Sequence, residues 1–204
     1  MDKLELLSEK IRLCINCPLR ENATNPVPGL GEVGSKYMLI GEAPGRSEDL
    51  AGIPFIGSAG KKLNQLLELA GISQGDCYFT NVCRCRPPSN RTPKKAEIRS
   101  CTPFLEEEIQ VVRPEYIITL GATPLSLFSP NGIRAMHGTM FSYEFKGGEF
   151  PVTILAMFHP AASLHQPRLW STMLDDWEHL PTKVDASYTV VKWKQLKDYL
   201  DGKE

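Results

Sequence analysis

The chain has 204 residues and a formal net charge of −1, with 42% apolar and 23% charged residues. That composition supplies a substantial core, excludes bulk disorder, and excludes a surface coated with positive charge for nonspecific polyanion binding. No apolar run approaches the roughly 18 residues of a membrane span. Met1–Arg12 alternates charges with leucines rather than forming a secretory signal, so a cytoplasmic protein with no membrane partner is expected.

The first element is a helix over about Asp2–Arg12, followed by Cys14-x-x-Cys17 and a Gly- and Pro-rich loop at Asn25–Gly34. Tyr37–Gly41 (YMLIG) reads as a buried strand running into Gly41-Glu-Ala-Pro-Gly45. Ser58 is placed to cap a helix through about Ala70, with Leu63, Leu66, Leu67 and Ala70 at helical spacing and Gly71 as its stop. Tyr78–Val82 (YFTNV) is a second strand, and Arg86–Pro93 is a loop. Thr92-Pro93 starts a helix carrying Ile98, Phe104, Leu105 and Ile109 up to Pro114. Tyr116–Gly121 (YIITLG) is a third strand, with a short helix after Thr123-Pro124 and a loop at Ser129–Gly138. Val152–Phe158 (VTILAMF) is the fourth, followed by helices near Arg168–Leu180 and about Trp193–Leu200.

Each strand is a near-continuous apolar or β-branched run, as expected where both faces of a parallel sheet are covered. Strands alternating with helices give an α/β fold. The expected form is a three-layer α/β/α sandwich with a central four-stranded, mainly parallel sheet, in one domain over 1–204 with the terminal helices as additions. Ligands of such sheets bind beyond the carboxyl ends of the strands. Gly41-Glu-Ala-Pro-Gly45, Thr80-Asn81-Val82, Gly121-Ala-Thr-Pro124 and His159-Pro-Ala-Ala162 therefore gather on one rim.

These motifs, with Gly52-Ile-Pro-Phe-Ile-Gly-Ser-Ala-Gly60, Cys14-x-x-Cys17, Cys85-Arg-Pro-Pro and Cys101 in order, resemble the family 4 uracil-DNA glycosylases from Cys14 to about Trp177. The resemblance implies a monofunctional hydrolase of DNA base excision repair. It would cleave the N-glycosidic bond of uracil in single- or double-stranded DNA and leave an abasic site. Such an enzyme must extrude the nucleotide, read the base edge, support charge on its oxygen and hold a water.

On that basis Asn81 pairs with the base, since its amide offers an acceptor and donors together, and Phe55 stacks on the ring. Gly41 and Ala43 complete the base pocket. His159 donates to uracil O2, and Glu42 orients or activates the water. Family 1 enzymes carry an Asp one position later in this motif, where this chain has Ala43. Glu48 and Asp49 read as solvated loop charges. Gly45, Arg46, Ser58 and Ser163 are candidates for phosphate contacts, and Leu164 for the wedge that fills the gap left by the extruded base. Members of the family usually carry Arg where this chain has His165.

Six cysteines in a chain without a secretory signal point to metal or cluster ligation before disulfides. Cys85 and Cys101 have 15 residues between them, which is not the paired spacing of a zinc ribbon. The resemblance implies Cys14, Cys17, Cys85 and Cys101 as ligands of a structural [4Fe–4S] cluster, with zinc in the same thiolates as the alternative. Cys85 is chosen over Cys83 because it directly precedes Arg86-Pro87-Pro88. Cys77 and Cys83 read as buried thiols.

Two other functions compete. A redox-sensing iron–sulfur protein accounts for the cysteines but not for the rim residues. A catalytically silent or base-trapping DNA binder on the same fold accounts for both. The covalent relatives, however, carry Gln in the first motif and a His within an inserted basic loop, and this chain has neither. A monomer is expected, since nothing in the sequence demands a dimer.

Overall fold

A computed structural model describes residues 2–145, 151–180 and the strand at 190–192. The helix expected at about 193–200 lies outside the described residues. The elements in chain order are α1 (Lys3–Arg12), α2 (Leu19–Asn22), β1 (Tyr37–Gly41), α3 (Arg46–Ala51), α4 (Ser58–Leu69), β2 (Cys77–Asn81), α5 (Lys95–Val112), β3 (Tyr116–Leu120), α6 (Ala122–Leu125), α7 (Ile133–Met136), β4 (Thr139–Glu144), β5 (Pro151–Met157), α8 (Ala162–His165), α9 (Arg168–Glu178) and β6 (Val190–Lys192). Among the described residues, no helix is long and apolar enough to cross a membrane.

The sheet order is β2-β1-β3-β5-β4-β6. The four expected strands form its parallel half, with Gly41 opposite Asn81, Met38 opposite Ile117 and Ile118 opposite Leu155. β4 and β6 extend it beyond the four strands read from the sequence, β4 antiparallel to β5 and β6 parallel to β4. β4 buries Phe141 and Tyr143 and leaves Ser142 half-exposed, the alternation of a strand covered mainly on one face.

Both faces of the parallel half are covered. On one, Met38, Ile40, Ile117 and Ile154 pack against Ile98, Leu105, Ile109 and Val112 of α5. On the other, Leu39, Ile118, Leu155 and Met157 meet Leu63, Leu66 and Leu67 of α4 and Met173 and Trp177 of α9. This is the α/β/α sandwich, and it explains why the strands carry no polar face.

Helix boundaries follow their caps. Asp2 and Glu5 form a reciprocal capping box that starts α1, and Lys10 pairs with Glu107 of α5 at 3.0 Å. Gly57 caps α4, so Ser58 is its first residue rather than its cap. α5 begins two residues beyond Thr92-Pro93 because the Glu97 carboxylate folds back to accept the Lys94 N–H at 2.7 Å.

The residues before β1 are bound to the free edge of β2. Leu30 and Phe79 exchange two backbone hydrogen bonds, at 2.9 and 2.8 Å. Behind them Glu108 of α5, fully buried, accepts from Thr80 Oγ1 (2.7 Å), from an Arg84 guanidinium nitrogen (2.9 Å) and from the Gly29 N–H (3.1 Å). Arg84 is 1% exposed and its Nε has no partner among the described residues. A charge pair this deep is costly to break from one side, about 3–5 kcal/mol.

Candidate active site

The rim motifs converge on a cleft of about 790 Å³. Glu42, Phe55, Asn81 and His159 all line it, as do Ala43, Gly45, Arg46, Ser58 and Leu164. Register brings them together. The β1–β2 ladder continues past both strands, with Val82 N–H on Gly41 O (2.9 Å) and Cys83 N–H on Glu42 O (3.0 Å). Gly121 N–H likewise extends the β3–β5 pairing onto Met157 O at 2.8 Å.

Gly41 lies beneath the cleft. A Cβ there would stand 2.4 Å from Asn81 Oδ1 and 2.9 Å from the Phe55 ring, so a bare backbone lets amide and ring approach. Asn81 is buried, and among the described residues its side-chain amide has no protein partner. Its acceptor and donors are free for a ligand. The Phe55 ring also meets Phe79 at 5.9 Å in a tilted arrangement.

His159 is half-buried at the end of β5. Its Nδ1 accepts the Ala161 N–H at 3.1 Å across the Pro160 turn. With Nδ1 as acceptor, the neutral ring carries its proton on Nε2. Burial lowers its pKa to about 4, with the negative charge of Glu48 pulling weakly the other way. At neutral pH the ring is an uncharged donor. Glu42 is held from the end of the neighbouring β3, where Thr123 Oγ1 donates to its Oε2. Its motif puts Thr123 on the rim, but the sequence carries no signal of this contact.

Glu48 and Asp49 correct the sequence reading: both are buried rather than solvated. Glu48 Oε1 accepts the Gly57 N–H at 2.8 Å, and Oε2 fills the space over Gly45, where a Cβ would stand 2.8 Å away. Its carboxylate thereby forms part of the cleft wall. Asp49 accepts the N–H groups of Thr24 (2.9 Å) and Asn25 (3.3 Å) and fastens that loop to α3. Ser163 is also buried, and its hydroxyl donates to Pro160 O at 2.8 Å, so it turns into the fold rather than toward a phosphate. Leu164 remains 45% exposed. Sequence reasoning also passed over Asn90 and Arg91. Both line the cleft, Arg91 with its guanidinium held two-pronged by Glu97 at 2.8 and 2.7 Å.

The cysteines gather beside this site. Cys17 hydrogen-bonds Cys101, a contact that together with burial raises the Cys17 thiol pKa. Burial, then the proximity of Cys101, Cys17 and Cys14, pushes Cys85 up to about 12. For Cys101 the Cys17 contact pulls downward, but contact with Cys83 and burial outweigh it, leaving the thiol at about 11. The Asn16 N–H approaches Cys14 Sγ at 3.5 Å. Among the described residues, no three His, Cys, Asp or Glu side chains stand close enough around one point to hold a single metal ion. Cys77 stands apart, its Sγ donating to Ser73 O at 3.3 Å.

Residues 28–180 match the family profile described as the uracil DNA glycosylase superfamily. The chain is similar to the type-4 uracil-DNA glycosylase of Pyrobaculum aerophilum, at 41% identity over 81% of this chain and 87% of the relative. The type-4 enzyme of Saccharolobus solfataricus is 38% identical over 87% and 84% of the two chains, and that of Thermotoga maritima 39% over 78% and 81%. With its profile match spanning most of its length, this chain belongs to the uracil DNA glycosylase superfamily.

Proposed function

We propose that this chain is a uracil-DNA glycosylase, a single-domain hydrolase that removes uracil from single- and double-stranded DNA and leaves an abasic site. One observation supports it above the rest. Glu42, Phe55, Asn81 and His159, drawn from four separate segments, line one cleft and offer a carboxylate, a ring, an unpartnered amide and a neutral imidazole donor.

The extruded uracil lies on Phe55. Asn81 donates to O4 and accepts from N3–H, a pattern that cytosine reverses. As the C1′–N1 bond breaks, its electron pair passes to the base, and the Nε2–H of His159 supports the negative charge on O2. Glu42, held by Thr123, faces the sugar as it gains positive charge and orients a water. The water oxygen bonds to C1′ and its proton leaves through the carboxylate or to solvent. Arg46 and the backbone N–H groups at the start of α4 take the flanking phosphates.

Cys14, Cys17, Cys85 and Cys101 are the candidate ligands of a [4Fe–4S] cluster. The donor set fits, since Cys85 interacts with Cys101, Cys17 and Cys14, Cys17 hydrogen-bonds Cys101, and N–H groups already point at the sulfurs. The group would supply only a covalent tie among α1, α5 and the segment after β2, because hydrolysis moves no electrons.

The test is excision from a labelled oligonucleotide holding one uracil. Expected are free uracil and strand breaks that appear only after alkali, with no release of cytosine or thymine. Asn81→Ala and His159→Ala should each remove most of the activity while leaving the visible absorption unchanged. Full activity in both variants overturns the assignment of the site.

A further inference from the structure

Ile53 and Ile56 lie in the connection between α3 and α4 and are 44% and 41% exposed, and Leu50 at the end of α3 is 60% exposed. Between the two isoleucines Pro54 is buried and Phe55 lines the cleft. The connection is tightly held. Gly52 N–H donates to Glu48 O at 2.8 Å, and Gly57 N–H to Glu48 Oε1 at 2.8 Å. Phe55 adopts φ +56, and its carbonyl packs so closely on Gly60 that a Cβ there would stand 1.7 Å from the oxygen. Two aliphatic side chains are thus kept in water on either side of the residue that enters the cleft. Exposed aliphatic side chains held on both sides of a residue that lines the cleft are placed to meet what a ligand in the cleft is attached to.

Its position says what it touches. The connection adjoins the start of α4, and Leu164 stands at the cleft on the far side of β3. When a nucleotide leaves the stack, the base next to it on the same strand exposes one face. In a duplex the opposite strand helps to hold that neighbour, whereas in a single strand nothing does. We propose that Ile53 and Ile56 form an apolar lip that covers this neighbouring base, and that the lip supplies much of the grip on single-stranded DNA. The inference rests on the glycosylase reading and extends its DNA surface beyond the cleft.

The test compares the intact chain with Ile53→Ser/Ile56→Ser and with Ile53→Leu/Ile56→Leu. Both changes are at exposed positions outside the cleft. Binding is read by fluorescence anisotropy on a single-stranded oligonucleotide with one uracil, and on a second whose two neighbours of uracil are abasic sugars. Rates are read separately under single turnover at saturating enzyme. The Ser pair should weaken binding to the first oligonucleotide by roughly tenfold and leave the second and the saturated rate unchanged; the Leu pair should bind like the parent. Equal loss on both oligonucleotides, or none on either, overturns the lip. So does altered self-association in sedimentation with DNA affinity intact, which would assign the patch to a second copy of the chain. A parent that binds both oligonucleotides and releases no uracil from either refutes the glycosylase reading instead.

Discussion

The most exposed consequence of the site concerns the charge of His159. With a pKa near 4, roughly one ring in a thousand is protonated at pH 7, against about a quarter for an unperturbed histidine. In the proposed mechanism the species that acts is then the neutral ring donating through Nε2. Replacement by Ala removes one donor aimed at developing negative charge, worth about 2.7–4 kcal/mol, or roughly 10²–10³ in the single-turnover rate. Excision followed from pH 5.5 to 8 should show no loss as the pH rises through 6.5, and ring ¹⁵N shifts should report an Nε2–H tautomer throughout. The stability effect has a definite sign. The folded pKa lies below the unfolded one, so between about 6.5 and about 4 the unfolded chain binds more protons. The contribution of His159 is therefore complete above pH 6.5 and is lost as the pH falls toward 4; His159→Ala should flatten that part of the profile. A parent rate that rises as the pH drops through 6.5 in step with ring protonation, or an Nδ1–H tautomer, refutes the reasoning.

Thr123→Val leaves the Glu42 carboxylate without its hydroxyl partner. A hydrogen bond to a charged group is worth about 1.5–3 kcal/mol, so kcat should fall about tenfold or more with little change in KM, and Thr123→Ser should restore it. Gly60→Ala forces a methyl into the Phe55 carbonyl; it should cost about 1–3 kcal/mol, seen as a Tm lowered by several degrees, and weaken uracil binding as the ring shifts. Arg84→Met strands Glu108 in the core and should destabilise by about 3–5 kcal/mol in urea unfolding, while Arg84→Met/Glu108→Met should recover much of the loss. Cys101→Ser should abolish the visible absorption of the purified protein and lower its Tm, whereas Cys77→Ser, remote from the other thiols, should preserve the colour.

The parallel half of the sheet was legible because burial on both faces leaves continuous runs such as YMLIG and YIITLG, which need no partner to be recognised. β4 escaped because its signal is weaker. Only Ser142 and Glu144 interrupt the apolar residues Met140, Phe141 and Tyr143, in a short segment that also begins beside a loop. Helix starts shifted by one or two residues where the cap was not the residue the local motif suggested: Gly57 rather than Ser58 precedes α4, and in α5 the Glu97 carboxylate folds back on Lys94. Of the rim residues, Glu42, Asn81 and His159 could be placed together because their motifs end strands that must lie side by side, whereas Phe55, between two helices, was named only through the family resemblance. The roles of Glu48 and Thr123 could not be read. Glu48 sits in the acidic run Ser47-Glu48-Asp49, the ordinary appearance of a solvated surface, and its burial depends on Gly57 folding back over it. Thr123 acquires its meaning only when β3 is threaded beside β1. The grouping of the cysteines needed the fold as well, since α1 must lie on α5 before Cys14 and Cys17 can approach Cys101.

The two peptide hydrogen bonds that carry the β1–β2 ladder past its strands join a segment holding thiols to the turn holding the Glu42 carboxylate. Cys83 donates its N–H to Glu42 and lays its sulfur against Cys101. Corrosion of the thiol cluster therefore has a short route to the chemistry, through one residue and one backbone link. With the proposed cluster in those thiolates, loss of its metal should reach the Glu42 turn before the rest of the domain has unravelled.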